Sequence, residues 1–372
     1  MAKTVVGVGD PKAVKKYSAF LAVDVGRKSY FNKKFMGMGE SAQTPLQTLP
    51  HLENDAGDQI SYDLVMQLKM KPIQGDQTLR GKEEDLKFYT DSLYIDQLRG
   101  GVNTGGKMSR KRTIHDLRKI SRVRQSEWWA RLFDETFFIY LSGMRGSNAD
   151  FIEDTSFTGY AGNSLVAPDA QHLMYGGDAT AKNNVDAADK MSLSLIDKAV
   201  ARASTMGGGT TGIPSIQPCE IDGEPHYVLV MHPWQEYDLR TNTSTGQWID
   251  IQKAAAAAEG RMSPMFKGGL GMYNNVILHS HKSVITASDY GTGSNVAAAR
   301  ALFLGRQAGV VAFGSPGTGL RFDWTEESED RGNQVVITTS TICGVKKSSF
   351  TIEGTSRDFG SIALDTAAKD PS

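Results

Sequence analysis

The segment with the most enzyme-like spacing is Gly101-x4-Gly106-Lys107. A nucleotide-binding P-loop has this spacing because its backbone amides surround phosphates, and it continues with a Ser or Thr whose hydroxyl binds magnesium. Here the next residue is Met108, which has no hydroxyl. The preceding residues alternate in polarity, whereas a P-loop follows a buried parallel strand. We therefore predict a turn between two elements here and keep nucleotide hydrolysis as an alternative function.

The histidines and cysteines add little further chemistry. His279 and His281 lie two residues apart on a predicted strand, but no third metal ligand is near them, so we predict structural roles. Cys219 and Cys343 have no motif around them, which predicts two reduced thiols. The carboxylate pairs Glu83-Glu84 and Glu326-Glu327 are predicted to be solvated. We predict no catalytic residue, no cofactor and no metal, and hence no enzyme.

A cluster of positive charge follows the glycine-rich segment. Between residues 107 and 124, eight basic residues face one acidic residue, Asp116. They are Lys107, Arg110, Lys111, Arg112, Arg118, Lys119, Arg122 and Arg124. Such a cluster attracts nucleic acid by counterion release, or forms a solvated or ion-paired helix face. No stacking platform or zinc finger accompanies it, so we favour pairing with another subunit or weak DNA contact. A DNA-binding structural protein is a second alternative.

Composition and charge agree with a folded protein that tolerates close packing of copies. The chain has 372 residues, 40% of them hydrophobic and 22% charged, which is enough for about two domains. Its net charge is −1 and its pI is about 6.7, so identical copies repel one another little. No secretory signal is visible at the start and no apolar run is long enough to span a membrane, so we predict neither secretion nor a membrane span.

The first elements that must position these residues are an arm and a hairpin. Residues 1–55 are predicted to form a basic, extended arm around one helix that begins near Pro11. Residues 59–102 alternate in polarity and predict a long β-hairpin with a charged tip. Each strand would have more than ten residues and reach about 35–40 Å. Because an isolated two-stranded hairpin is unstable in water, it needs a supporting surface on its own or a neighbouring chain.

A long helix is predicted over residues 113–142, with Thr113 and Asp116 at its start and Gly143 at its end. Thirty residues would give a rod of about 45 Å. From Trp128 to Leu141 the sequence is apolar on nearly every side, so we expect this half to be buried.

The remaining pattern is mixed, which gives an α+β fold class. Residues 147–185 predict loops, and 207–209 predict a hinge or turn. Helices are predicted at 186–205, 234–259 and from Ser294 or Asn295 to Ala308. Strands are predicted at 227–231, 272–279 and 335–350.

Several motifs in this order resemble one family of tailed-phage major capsid proteins, found in short-tailed and related phages. They begin with Gly75-Asp76, Leu79-x-Gly81-x-Glu83-Glu84-x-Leu86, Phe88-Tyr89-x-Asp91 and Ile95-Asp96-Gln97-Leu98-Arg99. They continue with Trp128-Trp129-Ala130-Arg131, Leu141-Ser142-Gly143-x-Arg145-Gly146 and Phe359-Gly360-x-Ile362-Ala363-Leu364-Asp365. The matches cover most of the chain, and those at 75–146 are the most specific.

The resemblance implies the Johnson fold of tailed-phage and herpesvirus shells. On this basis the expected parts are an N-terminal arm and an extended loop, then a spine helix with the peripheral domain, an axial domain, and a return to the peripheral domain. We assign them to residues 1–55, 56–112, 113–214, 215–320 and 321–372 in that order.

The resemblance also implies a function: self-assembly into an icosahedral head that encloses double-stranded DNA. The expected partners are sister copies in hexamers and pentamers, scaffolding protein, portal, decoration protein and packaged DNA, with assembly in the host bacterial cytoplasm and no membrane. We predict that the charged loop tip touches an adjacent subunit through Asp76, Arg80, Lys82, Glu83, Glu84 and Lys87. The basic residues from Arg110 to Arg124 would face DNA or a sister copy.

Overall fold

The computed structural model describes residues 11–371 except 40, 54–56, 69, 208–212, 222, 243–247, 249–250, 254–263, 267 and 316–319, with backbone only for 11–17, 33, 51 and 264. The helices are α1 Pro11–Lys28, α2 Tyr30–Lys34, α3 Lys107–Arg112, α4 Leu117–Ser142, α5 Leu193–Thr205 and α6 Pro233–Asn242. The strands up to the middle of the chain are β1 Met36–Met38, β2 Leu46–Leu49, β3 Gln59–Val65, β4 Phe88–Tyr94, β5 Asp96–Gly106, β6 Leu173–Tyr175, β7 Cys219–Ile221 and β8 Glu224–Met231. The later strands are β9 Gly271–Tyr273, β10 Val276–Ser280, β11 Thr286–Tyr290, β12 Val296–Leu304, β13 Gly309–Gly314, β14 Phe322–Glu329, β15 Gln334–Lys347, β16 Ser349–Ile352, β17 Thr355–Asp358 and β18 Ser361–Ala367.

Two large sheets organise the described part of the chain. The first has six strands in the order β1-β2-β13-β15-β14, with β5 also paired to β15. The second has eight, in the order β6-β18-β12-β8-β10-β9, with β11 on β12 and β7 on β8. Strands β3 and β4 form one hairpin, and β16 and β17 form another. Both large sheets join strands that are far apart in sequence.

Helix α4 is the central rod of the molecule, and its second half is buried as predicted. Asp116 caps its start by accepting a hydrogen bond from the Lys119 amide at 3.2 Å. Trp129, Phe133 and Phe137 follow at intervals of four residues and stack, with ring centroids 5.9 and 6.3 Å apart. Burying each such side chain stabilises the fold by roughly 1.5–3 kcal/mol, so the aromatic column holds the helix in place.

The helix ends where the backbone turns left-handed at Gly143, with φ at 70°. A Cβ at this position would lie 2.1 Å from the Val166 carbonyl oxygen. Only glycine therefore fits this C-terminal cap.

A buried arginine ties this end of the helix to the second sheet. Arg300 on β12 donates two hydrogen bonds of 2.7 Å to the two carboxylate oxygens of Asp365 on β18. It also donates to the Ser142 carbonyl oxygen at 2.9 Å, and the Tyr290 hydroxyl donates to Asp365 at 2.7 Å. Because the carbonyl end of a helix is partly negative, the guanidinium is stabilised from both sides.

The predicted long hairpin is correct in place but shorter than expected. β3 and β4 pair over seven residues each, from Gln59↔Tyr94 to Val65↔Phe88, a length of about 23 Å at 3.3 Å per residue. The return strand then leaves its partner, and β5 pairs with β15 in the first sheet. Long-range pairing competes with the hairpin, and alternation alone does not reveal which partner each stretch has.

The glycine-rich segment 101–106 belongs to strand β5, so both the predicted turn and the P-loop interpretation are wrong. Gly100 and Gly101 lie opposite Thr339 and Thr338 in the ladder with β15. A P-loop must curve so that its amides converge on a phosphate, whereas here residues 101–103 run along the ladder with β15, and the backbone departs from it at Gly105, with φ at 75°. Small residues suit the place because a Cβ on Gly100 would lie 2.7 Å from the Trp128 ring.

The predictions for the second half of the chain are less accurate. The helix predicted up to Ala308 is strand β12, which pairs with β18, β8 and β11. The strand predicted over 272–279 is two strands, β9 and β10, joined at Asn274 and Asn275 with φ of 46° and 60°. Alanine favours helices locally, but here it fits the crowded centre of a sheet.

The other helices and strands agree more closely with expectation. Helix α5 begins at Leu193 instead of 186, because Ser192 caps it by accepting from the Leu195 amide. Helix α6 covers 233–242 of the predicted 234–259, and the alanine run at 254–258 lies outside the described residues. Of the predicted hinge at 207–209, only Gly207 is described. The strands predicted at 227–231 and 335–350 are confirmed as β8 and as β15 with β16.

Replacing Arg300 with alanine is expected to lower the free energy of unfolding by about 3–5 kcal/mol, because it leaves the buried Asp365 carboxylate without its partner. The measurement is guanidinium-induced unfolding of the soluble, unassembled subunit. The matched control is Arg124→Ala, since that side chain is 75% exposed and pairs only with Glu127. Its expected change is below about 1 kcal/mol. Equal losses in the two variants would contradict the structural role of Arg300.

Candidate inter-subunit surfaces

The segment between β3 and β4, residues 66–87, is the loop tip. Its described residues form turns and extended chain without regular secondary structure. Large apolar side chains on the tip and at its base are between 45% and 58% exposed: Val65, Leu68, Met70, Leu79, Leu86 and Phe88. Apolar side chains concentrated on so short a projecting segment indicate a surface that binds a partner.

The six residues predicted to contact a neighbour all lie on this tip. Asp76, Arg80, Lys82, Glu83 and Lys87 are exposed, and Glu84 is half-buried. The Gly81 amide donates to a Glu83 carboxylate oxygen at 2.6 Å. Amide donors at Glu83, Gly81 and Lys82 hold the pKa of the Glu83 carboxyl below its usual range, so this residue is an anion at neutral pH.

The base of the hairpin rests on the same chain. Ile60 and Tyr62 pack against a cluster that includes Leu49, Leu93 and Val310. The Tyr62 ring also meets the Phe350 ring edge-on, with centroids 5.7 Å apart. A cavity of about 380 Å³ remains between the hairpin and the body. The hairpin base is therefore supported from within, whereas the tip extends beyond that support.

Asp91 clamps the hairpin base to the first sheet. Its carboxylate accepts a 2.6 Å hydrogen bond from the Tyr62 hydroxyl and forms a 2.5 Å ion pair with Lys346 on β15. Lys346 also donates to the Ser92 carbonyl oxygen at 3.0 Å. At the other end of β4, the Asn163 side chain both accepts from the Tyr94 amide and donates to its carbonyl. These contacts set the direction in which the tip projects.

The basic segment divides into residues with partners in the chain and residues that face outward. Arg118 pairs with Glu326 at 2.7 Å, and Arg122 lies 3.7 Å from Asp24. Arg124 pairs with Glu127, and Arg110 donates to the Asn333 carbonyl oxygen at 3.0 Å. Lys107, Lys111, Arg112 and Lys119 are exposed. Much of the predicted cluster thus pairs within the subunit, and the outward charge is smaller than the sequence indicates.

Glu326 corrects another expectation. Its side chain is 9% exposed and accepts hydrogen bonds from Arg118 and from the Trp324 indole at 2.8 Å, so it is not a solvated carboxylate. Its neighbour Glu327 is exposed, as predicted.

A second exposed apolar surface lies where α1 meets α4. Phe20 and Val23 on α1 are 44% and 49% exposed, and Ile120 and Val123 on α4 are 42% and 38% exposed. The Arg122 guanidinium lies over the Phe20 ring, 5.5 Å from its centroid. This patch combines apolar surface with positive charge at one edge of the subunit.

Comparison with known proteins identifies the family of this chain. A family model described as "Phage capsid protein" matches residues 5–370. This chain belongs to the phage capsid protein family. It is 25% identical over 356 residues to the major capsid protein of Pseudomonas phage KPP25, covering 90% of each sequence.

Solved capsids show the same architecture. The capsid of Ralstonia phage GP4 aligns over 100% of both chains at 51% identity, with a TM-score of 0.85. The capsid of cyanophage Pam1 aligns over 92% of this chain and 93% of its own at 20% identity, with a TM-score of 0.69. The predicted α+β Johnson fold is confirmed, and the protein is a major capsid protein that forms the shell of the phage head.

His279 has the structural role that the sequence predicts, and the neighbouring His281 is half-buried. His279 is buried, and one ring nitrogen lies 2.8 Å from the Met265 carbonyl oxygen. Burial lowers the pKa of both His279 and His281 to about 4, so both rings are neutral at pH 7. Among the described residues no group of three or more His, Cys, Asp or Glu is placed to hold a metal ion. Within that same part no helix is long and apolar enough to cross a membrane.

The two cysteines are also core residues. Cys219 and Cys343 are free and buried, and burial raises the pKa of each thiol to about 12. Such thiols are poor nucleophiles at neutral pH.

Sequence reasoning missed the anchoring residues Asp91, Asn163 and Lys346. Asp91 belongs to the motif Phe88-Tyr89-x-Asp91, which marks the residue as a family feature but does not indicate what it contacts. Its partner Lys346 lies 255 residues later in the chain, so no local spacing indicates the contact.

Replacing Asp91 with asparagine is expected to loosen the hairpin base, because the ion pair with Lys346 is lost and the bond from Tyr62 no longer ends on a charge. Hydrogen bonds to charged groups contribute about 1.5–3 kcal/mol, so amide exchange protection over β3 and β4 should fall at least about tenfold. Hydrogen-exchange mass spectrometry of the soluble subunit measures this. The control is Asp63→Asn, since Asp63 is exposed and accepts only from Thr90 on the same hairpin. Unchanged protection in the Asp91 variant would show that the clamp is unimportant.

Proposed function

We propose that this capsid protein assembles the shell by laying its loop tip, residues 66–87, on a sister copy. The exposed apolar side chains of the tip carry this proposal, because within its own subunit much of their surface faces solvent. Burial of apolar surface contributes about 25 cal/mol per Å², so covering these side chains favours association. The charged residues between them, Asp76, Arg80, Lys82, Glu83, Glu84 and Lys87, would then set which neighbouring surface is accepted.

Repetition makes modest contacts sufficient. In a closed shell every copy both offers a tip and receives one, so a weak contact recurs around each symmetric ring. A net charge of −1 keeps the repulsion between densely packed copies small. The exposed apolar patch on α1 and α4 is the receiving surface that we propose for part of this contact.

The proposal includes the wider assembly that the resemblance implies. Copies would form hexamers and pentamers of an icosahedral head around double-stranded DNA, in the host bacterial cytoplasm. Scaffolding protein and portal would be assembly partners, and a decoration protein would bind the finished shell. The eight-stranded sheet would be the core of the axial domain, and the six-stranded sheet with α4 the core of the peripheral domain. The predicted boundary near residue 320 then needs adjustment, since β13 lies in the first sheet and β18 in the second.

We further propose that the protein acts without catalysis. The segment with nucleotide-binding spacing lies in a strand, and His279 and the two thiols are buried in the core. Burial also moves the pKa values of those groups away from neutrality. Function would therefore depend on the free energy of contact between subunits.

Reversing the charge of Glu83 and Glu84 together, as Glu83→Lys and Glu84→Lys, is expected to impair shell formation while the subunit stays folded. Both residues lie on the projecting tip, so like charges would meet at the proposed interface. Electron microscopy of particles counts shells, and circular dichroism of the soluble subunit checks folding.

The control is the same change of charge at two exposed acids outside the tip, Asp150→Lys with Asp178→Lys. This variant should yield more shells than the tip variant. Normal shells from the Glu83 and Glu84 variant would refute contact through this part of the tip.

The outward basic residues of α3 and α4 are proposed to touch packaged DNA without sequence preference. Replacing Lys111, Arg112 and Lys119 with glutamate should weaken binding of soluble subunits to random duplex DNA. Since each phosphate contact contributes about 0.9 to the slope of log affinity against log salt, the slope should fall by up to about 3.

A matched triple variant at exposed lysines elsewhere, Lys198, Lys282 and Lys369, carries the same charge change. Equal loss of binding in the two variants would show only a general charge effect. Unchanged binding in the α3 and α4 variant, together with failed assembly, would assign these residues to contacts between subunits instead.

A further inference from the structure

A lysine and an aspartate meet in the interior near the end of the first sheet. Lys347 is the last residue of β15, and Asp358 is the last residue of β17. The lysine Nζ lies 2.8 Å from the Asp358 Oδ2, and the two side chains are 1% and 2% exposed. The lysine Nζ and the Asp358 carboxyl group are therefore held in contact and shielded from solvent.

Burial changes the protonation preference of both groups. Removal from water disfavours the ammonium and the carboxylate alike, so it lowers the pKa of Lys347 and raises the pKa of Asp358. The neutral amine and the neutral carboxylic acid are the forms that can condense to an amide. This environment therefore favours the reactive forms more than water does.

A second pair, Asp169 with His172, lies beside them. Asp169 Oδ2 accepts from the Asp358 amide at 3.1 Å and lies 2.9 Å from Nδ1 of His172. His172 is fully buried, and its Nε2 has no hydrogen-bond partner among the described residues. Burial opposes ionisation of Asp169, but hydrogen bonding and charge attraction from His172 help to hold its pKa at about 2. The cluster thus contains a carboxylate that positions the Asp358 backbone and an imidazole with an unused ring nitrogen.

We propose that Lys347 and Asp358 condense into an isopeptide bond within the chain. The Nζ lone pair attacks Cγ of the Asp358 carboxyl, a nitrogen–carbon bond forms and a carbon–oxygen bond breaks. One amine proton joins the departing hydroxyl, so one water molecule leaves and no oxidant or reductant is needed. His172 is the group available to carry that proton, because Nε2 is unoccupied.

The bond would lock the β16–β17 hairpin to the end of β15. Phe350 on β16 is the ring on which Tyr62 of the extended hairpin rests. A covalent link at 347–358 would thus stiffen the support of the hairpin base without joining separate subunits.

The adjacent residue provides a control within the molecule. Lys346 and Asp91 are 2.5 Å apart, but their side chains are 16% and 15% exposed, and Lys346 also donates to a backbone carbonyl. Solvent stabilises both charges there, so this pair is expected to remain an ion pair. Close contact is common to the two pairs, whereas burial and the neighbouring Asp169 and His172 are found only at the Lys347 pair.

Mass spectrometry of wild-type chains from denatured shells and from soluble subunits tests the bond. We expect an intact mass lower than the sequence mass by one water molecule. Since succinimide formation at Asp222-Gly223 would lose the same mass, a tryptic map decides the location. The bond blocks cleavage after Lys347, so peptide Lys347–Arg357 should appear joined to Asp358–Lys369.

The variants Lys347→Met and Asp358→Ala should each restore the full mass expected for their sequences, and Lys346→Met should keep the loss of one water. Free peptides Ser348–Arg357 and Asp358–Lys369 from the wild type, at the unmodified mass, would overturn the proposal. This result needs no variant to fold. A joined peptide pair through Lys346 and Asp91 would equally contradict it.

Discussion

Burial of the second half of helix α4 between the two sheets is the constraint on which the other elements depend. The aromatic column Trp129, Phe133 and Phe137 fills the space against the first sheet, and the Trp129 indole donates to Thr339 on β15. At the other end, Arg300 joins the last turn of the helix to Asp365 in the second sheet. Because α4 is anchored at both ends, the tightly packed body of the subunit is rigid. A rigid body keeps the base of each projecting segment in a fixed position.

The N-terminal arm is attached to the same rod by a buried carboxylate. Asp134 accepts hydrogen bonds from the Ser29 hydroxyl and from the amides of Tyr30 and Phe31 at the start of α2. Burial raises the pKa of Asp134 to about 6, although these donors favour its charged form. The arm, the rod and both sheets thus meet along one helix, so the whole subunit presents its surfaces in a fixed relation.

Polar groups in this capsid protein divide by position into two roles. Those in the interior join elements distant in sequence, as Arg300 with Asp365 and Asp134 with Ser29 do. Breaking one of these pairs leaves a buried charge and costs far more than losing a surface pair. Most of those on the tip and on α3 are exposed, and they are the residues that we propose for contacts with a sister copy or DNA. On that proposal, mutation would alter stability and assembly separately.

The sequence by itself determined the elements whose signal is local. Helix α4 was predicted because its start, its apolar residues and Gly143 all lie within one continuous stretch. The extended hairpin and the charged tip followed from alternation and turn residues between 59 and 102. Motifs in the same region gave the family, which the comparisons then confirmed. The tip residues of the proposed contact were also visible, because an exposed charged segment needs no tertiary partner to be recognised.

Only the tertiary structure decided how distant stretches pair. Residues 296–304 favour a helix by composition, yet they form a strand because β8 and β18 flank them. Gly101 to Gly106 lie in a sheet because β15, more than 200 residues later, supplies the ladder. The partners of Arg118 and Asp91 were hidden for the same reason. The local pattern of residues determines which conformations are favourable for a segment. The strand with which a segment pairs depends on closing a long loop of chain between them, and residue spacing does not encode that partner.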